Sequence, residues 1–568
     1  MQEKKFNLIR EPWILVSDIG GSVSEVSLSD ALLNAHEYRR LSGETPAQDV
    51  AVLRLLLAVL QTVVYRTDVN DDEALLEEED EEEAVDRWKQ IWDMKKFPSD
   101  AIRNYLEKWE DRFWLFHPEY PFYQVPEQLN MAKIGSKQKE TQENEGKKNK
   151  KIFAVSDEYG YRTAAKLDGS ISQSGNSTRI ICHRSFESRG KLTFAESARW
   201  LLHINAFDDK SLKKVTPDEK STVSARFGWL GNIGVVYAEG DNLFETLMLN
   251  LVLITKSGCW REPKPAWERN KVENQIKKEI PMPDNQAELL TVQSRRIILN
   301  CEGDYVTSFN IYGGDFFSEI NAFNEQMTAW VCDDKQPKNQ PLQYKPKRNE
   351  MGKQMWRDFA NTFIPNEKGR NAGVVDWITL LVNNNLVSKK KTVRFRTVAI
   401  TYDSKCNSIT DVAGDYLDFY TNLLPETGRS YTRLIQEEII QTEEVARYVG
   451  ELAINLSRAS GDRIEYSFNT GPSGEAKKEF FYRIDVPFRK WLLSIDEETD
   501  IDKLREAWKA TLLKLATEMG KDLLEKSGIN AFKGRMYNKH YYASGNEHRR
   551  FLYKLNSCLN GKEKKDAS

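Results

Sequence analysis

The stretch "IDKLREAWKATLLKLATEMGKDLLEKSG" places Ile501, Leu504, Trp508, Leu512, Leu515, Met519 and Leu523 three or four residues apart. That spacing collects the apolar side chains on one face of a single long helix, and Gly528 stands where a helix C-cap belongs. Such a helix cannot bury its own face, so other helices must cover it. The same periodicity predicts helices around Val412 to Leu424, Leu434 to Leu456, Phe480 to Leu493 and Arg549 to Leu559. "GPSGEAKK" (Gly471 to Lys478) has glycines and lysines at no phosphate-cradling spacing and reads as a connector between two of them. Long amphipathic helices with short connectors make an antiparallel bundle of the four-helix type, predicted over residues 406–568.

Residues 1–405 have a different texture. "FNLIREPWILVSDIGGSVSEVSLSDALLNA" predicts a strand through Ile14 to Val16, a turn at Gly20-Gly21, a second short strand and a helix. Thr45-Pro46 is an N-cap with proline at the first helical position, followed by Val50, Leu53, Leu57, Leu60 and Val64 at helical spacing. Its most apolar part, "VLRLLLAVLQTVV", is shorter than the ~20 residues that span a bilayer. With a charged N-terminus lacking an apolar signal core, the chain reads as cytosolic, soluble and without a membrane partner. A helix through Trp88 and Trp92 comes next. Further on, "IGVVYAEG" and "VRFRTVAITY" look like strands, whereas "FETLMLNLVLI" and "FSEINAFNEQMTAW" look helical. The fold class expected is α+β: a large mixed N-terminal domain followed by the helical bundle.

Motifs of catalysis are missing. The sequence holds no Walker-type phosphate loop, no H-E-x-x-H and no G-x-S-x-G. Six cysteines stand singly and six histidines never pair at metal-ligand spacing, so neither a metal nor another cofactor is expected. In "WEDRFWLFHPEYPFYQV", His117 stands beside Pro118 among seven aromatic residues, and the residues alone leave open a catalytic histidine, a platform for stacking bases and a packed turn.

Charge is unevenly spread. The net −4 includes twelve acids in Asp68 to Asp86, read as a solvated helix face or loop, so the remainder carries +8 and leaves room for a nucleic-acid surface. "MAKIGSKQKETQENEGKKNKK" holds seven lysines and reads as a mobile basic loop. "SKKKTVRFRT" sets Lys389, Lys390 and Lys391 before a strand whose period of two puts Arg394 and Arg396 on one face and Val393 and Phe395 on the other. Such a strand offers charge to phosphates, or is an edge strand protected by charge. "RIICHRSFESRGK" and "KQPKNQPLQYKPKRNEMGK" add two more basic loops.

The order "FNLIREPWI", "WLFHPEYPFYQV", "LDGSISQSGNST" and "GNIGVVYAEGDNLFETLMLNLVL", ending in helices, resembles the CasA family, the large subunit of the type I-E CRISPR surveillance complex Cascade. The resemblance implies a non-catalytic subunit that partners other Cascade subunits, the guide CRISPR RNA, double-stranded target DNA and a helicase-nuclease effector. It would read the protospacer-adjacent motif (PAM) and wedge the duplex open, and the "HPEYPF" segment would be a structural turn with His117 packed and Phe113, Trp114, Phe122 and Tyr123 in the core. A loop near the guide's 5′ handle would then lie at Arg179, Ile181, His183 and Arg184, where the family carries an aromatic residue and an asparagine at the middle two. A lysine finger in the minor groove aligns at Asn321, which can donate a hydrogen bond without the charge. The wedge aligns with "YDSKCNS", at Ser404, Lys405, Cys406 and Asn407, here without the family's glutamine. A glycine-bearing groove hairpin aligns with Ser221 to Gly228, which contains Arg226 and almost no glycine. Two other classes stay open on the residues alone: a stand-alone nucleic-acid-processing nuclease, and a protein-only adaptor that uses the bundle.

Overall fold

The computed structural model describes residues 3–77, 80–126, 161–171, 184–185, 188–214, 222–224, 226–256, 258–269, 278–333, 341–364, 369–462 and 470–560. Helices and small, mostly antiparallel sheets are mixed along the chain, and its contacts divide it into two units. One comprises Met1–Gly352, Pro365–Ile378 and Arg394–Tyr416; the other comprises Lys353–Ile364, Thr379–Val393 and Leu417–Ser568.

In the first unit, strand Ile14–Asp18 lies between Val23–Val26 and Tyr38–Leu41. Thr45 then caps helix Pro46–Arg66, its hydroxyl accepting from Gln48 N. This 21-residue helix starts at the expected Pro46, and by length and composition it is apolar enough to cross a bilayer. It is instead the unit's core helix, buried on all sides except near its ends. The one cation in its middle, Arg54, reaches the Glu325 carboxylate at 3.0 Å and the Leu289 carbonyl at 3.0 Å, which removes the cost of an unpaired buried charge. Part of the acidic run opens helix Glu81–Met94, where exposed Glu81 and Glu82 sit at the positive end of the helix dipole.

His117 is buried in a turn. Its Nδ1 accepts from Glu119 N (3.0 Å) and Tyr120 N (2.8 Å), and its Nε2 lies 3.3 Å from Asp111. Burial holds the imidazole below its usual range despite Asp111, so the ring is neutral and acts as a backbone acceptor. Phe113, Phe122 and Tyr123 are core, while Trp114 is only half-buried. The lysine-rich segment 131–151 lies outside the described residues.

Three segments differ from the sequence reading. "FSEINAFNEQMTAW" forms turns rather than a helix: Glu325 accepts from Met327 N and Gln326 donates to Phe323 O, local bonds that compete with a helix, and Asn321 Oδ1 accepts from the distant Tyr344 N. Helix Leu243–Asn250 ends before "LVLI", since Asn250 turns its carboxamide onto Ala238 N and O. Val412 to Leu424 is not a bundle helix: Ile409–Tyr420 is a strand, next to Thr392–Tyr402 in the sheet that also holds Val235–Glu239. Its apolar residues fit a period of two as well as a helical one, with Leu417 and Phe419 buried and Asp418 between them less so.

The second unit is built on helix Arg429–Ser460, 32 residues long, which packs against Gly471–Leu492, Ile501–Lys526 and Ser544–Asn560. Side-chain bonds fix the directions. Thr442 meets Trp508 and Ser460 meets Ser527, so those two helices run parallel. Trp491 meets Leu504 while Arg483 meets Asp522, and Gln441 meets Cys558 while Asn455 meets Glu547, so the other neighbours run antiparallel. The result is an up-down-up-down bundle. "GPSGEAKK" is the first two turns of Gly471–Leu492 rather than a connector, with Pro472 in the first turn where its missing N–H costs nothing. Lys353–Ile364 belongs to this unit too: Trp356 stacks on Phe488 at 4.1 Å and donates to Asp485.

Candidate nucleic-acid interface

The hairpin joining Thr392–Tyr402 to Ile409–Tyr420 ends in a tight turn. Asp403 N donates to Ser408 O (3.0 Å) and Cys406 N to Asp403 O (2.8 Å). The Asp403 carboxylate then caps the turn from within, accepting from Lys405 N (3.0 Å), Asn407 N (2.8 Å) and Ser408 Oγ (3.2 Å). These donors, the Asn407 amide foremost, hold its carboxyl below the usual range, so it is ionised at neutral pH. Cys406 occupies a left-handed conformation, φ +57°, at the bend. Ser404, Lys405 and Asn407 are exposed at the tip and Cys406 is half-buried.

One further bond moors this tip: Lys210 N donates to Cys406 O at 2.8 Å. Lys210 leaves helix Phe194–Phe207 through Asp208 and Asp209, which are buried with Lys166, Lys213 and Arg295. Lys213 reaches Asp208 at 2.9 Å and Asp209 at 3.1 Å, Arg295 pairs with Asp208, and Lys166 with Asp209. Burial alone would raise the Asp208 carboxyl, yet Lys213, Arg295 and Lys166 hold it well below its usual range. Burial pushes the Lys213 ammonium down, opposed by both carboxylates. Arg295 also donates to the carbonyls of Asp209 (2.9 Å) and Arg226 (2.7 Å), so one guanidinium fixes two surface segments.

Around the tip, cations gather on aromatic faces. Lys210 Nζ lies 4.3 Å and the Arg348 guanidinium 5.3 Å from the centre of the Phe227 ring, and Tyr402 packs on the same ring at 4.2 Å. Exposed Arg226 lies 4.8 Å above Phe316 and donates to Phe317 O at 3.4 Å. Four residues on, exposed Asn321 holds a left-handed turn, φ +56°, with its Oδ1 taken by Tyr344 N, so the group it can offer a ligand is its NH₂ donor. Arg348 lies in the basic loop "KQPKNQPLQYKPKRNEMGK" that the sequence reading singled out, but Lys210 was missed; the acid pair Asp208-Asp209, followed by Lys210 and Lys213, was the available signal.

Other candidates stand elsewhere. Arg394 and Arg396 share a strand face, with Val393 and Phe395 buried on the other, but both serve the buried carboxylate of Glu239: Arg396 is ion-paired to it and Arg394 lies 3.6 Å away. Arg39 is a third cation on the same carboxylate, at 3.6 Å. In the second unit, Lys389 faces Glu497 at 3.7 Å and Lys390 faces Glu498 at 3.9 Å, while Lys391 closes a turn by donating its N–H to Ser388 O. Arg184 bridges Asp168 (2.6 Å) and Glu196 (2.8 Å) and anchors its loop. Arg179, Ile181 and His183 lie outside the described residues. Among the described residues no group of three or more His, Cys, Asp or Glu converges as a metal site.

Comparison with known proteins agrees with this architecture. The family model of CRISPR-associated protein Cse1 matches residues 7–519. CRISPR-associated protein CasA/Cse1 of Thermus thermophilus is 27% identical over 546 residues, covering 90% of this chain and 94% of its own length. The crystal structure of Thermobifida fusca Cse1 superposes with a TM-score of 0.79 at 25% identity, covering 98% of both chains. A chain from a structure described as a CRISPR RNA-guided surveillance complex shares the fold, with a TM-score of 0.69 at 14% identity and coverage of 98% and 100%. The chain belongs to the CRISPR-associated Cse1 family.

Proposed function

We propose that this chain works in the cytoplasm as the large, non-catalytic subunit of a type I-E CRISPR RNA-guided surveillance complex. In that role it joins the other subunits and the guide RNA, reads the PAM in double-stranded DNA, opens the adjoining base pairs and receives the helicase-nuclease. Family membership and the occurrence of the same fold in a surveillance complex support the subunit role. The observation that carries the DNA-opening role is the internally capped tip Asp403–Ser408, with exposed Lys405 and with Lys210 and Arg348 beside it. A wedge must occupy the space of a base pair without yielding, because unstacking costs a few kcal/mol per step and must be offset by protein contacts. Lys405 supplies charge for a displaced phosphate, while Arg226 and Asn321 supply a cation and a donor for groove acceptors.

The test compares R-loop formation on two targets, one fully paired and one mismatched in the first base pairs beyond the motif. Changing Lys405, Cys406 and Asn407 together to alanine should slow opening of the paired target and leave the pre-opened one nearly unaffected. Equal slowing on both would make the tip a general contact, and no slowing on either would refute the wedge.

A further inference from the structure

We propose that the segment linking the third and fourth bundle helices is a docking face for a protein partner whose own contact surface is apolar and rimmed with carboxylates. Between Lys526 and Ser544 the chain forms the short helix Gly528–Lys533 and the hairpin Arg535–Tyr537/His540–Tyr542. It leaves four large apolar side chains in solvent: Ile529 is 70% exposed, Phe532 74%, Met536 64% and Tyr541 48%. Ile529 and Phe532 are three residues apart on one side of the short helix. Met536 and Tyr541 are direct cross-strand partners on one face of the hairpin. The Tyr541 hydroxyl donates to Lys533 O at 2.6 Å, which lays its ring across the helix end and joins the two pairs into one surface.

The alternate hairpin residues face the bundle: the Arg458 guanidinium lies 5.3 Å from the Tyr537 ring and 5.7 Å from that of Tyr542. The four outward side chains are therefore surplus to the fold, and contiguous exposed apolar surface of this kind marks an interaction site.

Charge selects the occupant. From Lys526 to Asn546 the sequence has Lys526, Lys533, Arg535 and Lys539 and not one Asp or Glu; Glu547 follows, but it is buried, accepting from Asn455. An apolar segment whose own charges are all cationic fits a protein surface that is apolar and carries carboxylates. Single-stranded nucleic acid fits less well, because stacking needs flat aromatic faces. Phe532 and Tyr541 supply two, whereas Ile529 and Met536, half of the four outward side chains, supply none.

The partner is sought among the other subunits of the surveillance complex, so the proposal rests on the function proposed above. Full-length protein is titrated into the remaining subunits assembled on guide RNA, and the dissociation constant is measured for wild type, for Phe532→Ser with Met536→Ser, and for Lys533→Glu with Lys539→Glu. The apolar pair should weaken assembly at least tenfold, and the charge pair should weaken it and flatten its salt dependence. All four side chains are exposed, and an unchanged melting temperature verifies the fold. If wild type assembles and both variants match it, the docking face is refuted while the subunit role stands. If wild type does not assemble, the subunit role fails and this partner with it. If the variants assemble normally but lose mobility-shift binding to single-stranded RNA or DNA, the face is a nucleic-acid site and the protein proposal is overturned.

Discussion

Trp508→Ala is the sharpest test of the bundle's construction. The indole is fully buried, 5.0 Å from the Phe488 ring edge-on and 5.4 Å from Trp491, and its Nε1 donates to Thr442 Oγ1 at 3.2 Å. Truncating a buried tryptophan costs about 3–5 kcal/mol through forfeited transfer energy and an unfilled cavity. The Thr442 hydroxyl itself stays bonded to Glu438 O at 2.7 Å, so removing the indole bond adds only about 1 kcal/mol and leaves no stranded donor. The expected loss is about 4 kcal/mol. With a slope of about 2 kcal/mol per molar urea, that moves the midpoint of the helical transition down by about 2 M. Circular dichroism at the helical band is the assay, because fluorescence would change with the deleted indole itself. Trp508→Phe retains the ring packing against Phe488 and should lose about half as much. Because the chain has two units, the quantity to compare is the step carrying most of the helical signal rather than one global free energy. A shift below about 0.5 M would show that the ring does not hold the helices together.

Two further outcomes follow from paired charges. Replacing Lys389, Lys390 and Lys391 with Gln should lower the log-log salt slope of target-DNA binding by about 0.9 for each phosphate no longer neutralised, whereas Arg396→Gln should act mainly on stability, costing about 1–3 kcal/mol by weakening the compensation of buried Glu239. Slopes that respond to Arg396 and not to the lysines would reverse that assignment. Burial raises the Asp49 carboxyl to about 7, against the Gly43 N–H bond at 2.7 Å and the nearby charges of Arg396 and Arg40. The folded chain keeps a proton there that the unfolded chain releases near pH 4, so stability should fall as pH rises from about 4 to about 7. Asp49→Asn keeps the acceptor for Gly43 and should raise the melting temperature relative to wild type at pH 8 but not at pH 4; a gain that is equal at both would refute the shift.

Legibility followed periodicity. Helix Ile501–Lys526 was readable because its buried side chains, Leu504, Trp508, Leu512, Ala516 and Met519, keep one helical stripe for about four turns. Helix Pro46–Arg66 was readable as a helix, but its burial on every side was not, because the apolar stripe only hints at how many neighbours surround it. Strand Ile409–Tyr420 was misread because its apolar residues satisfy two periods at once, and only its pairing with Thr392–Tyr402 decides between them. Turn chemistry was legible at the hairpin tip, where "DSKCNS" offers Asp, Ser and Asn to close a tight bend. Burial of charge was not: nothing in the string separates Lys213, enclosed between two carboxylates, from exposed Lys405.

That last distinction bears on how the tip works. A cluster of five buried ionic groups adds little net stability, since desolvation offsets most of the attraction between its members. What it does add is position. Asp208 and Asp209 cannot shift without stranding Lys213, Lys166 or Arg295 in the interior, so the backbone between helix Phe194–Phe207 and strand Leu212–Lys214 is held in place. Lys210 lies in that span, and its N–H is the bond on Cys406 O. Arg295, from the same cluster, holds the carbonyl of Arg226. Interior charge thus fixes two surface segments at once. In the proposed role, a hairpin that displaces a base pair needs resistance to bending more than a particular residue at its tip, and the absence here of the glutamine that the resemblance implied is compatible with that role. Stiffness supplied from below and a cation at Lys405 would do the work.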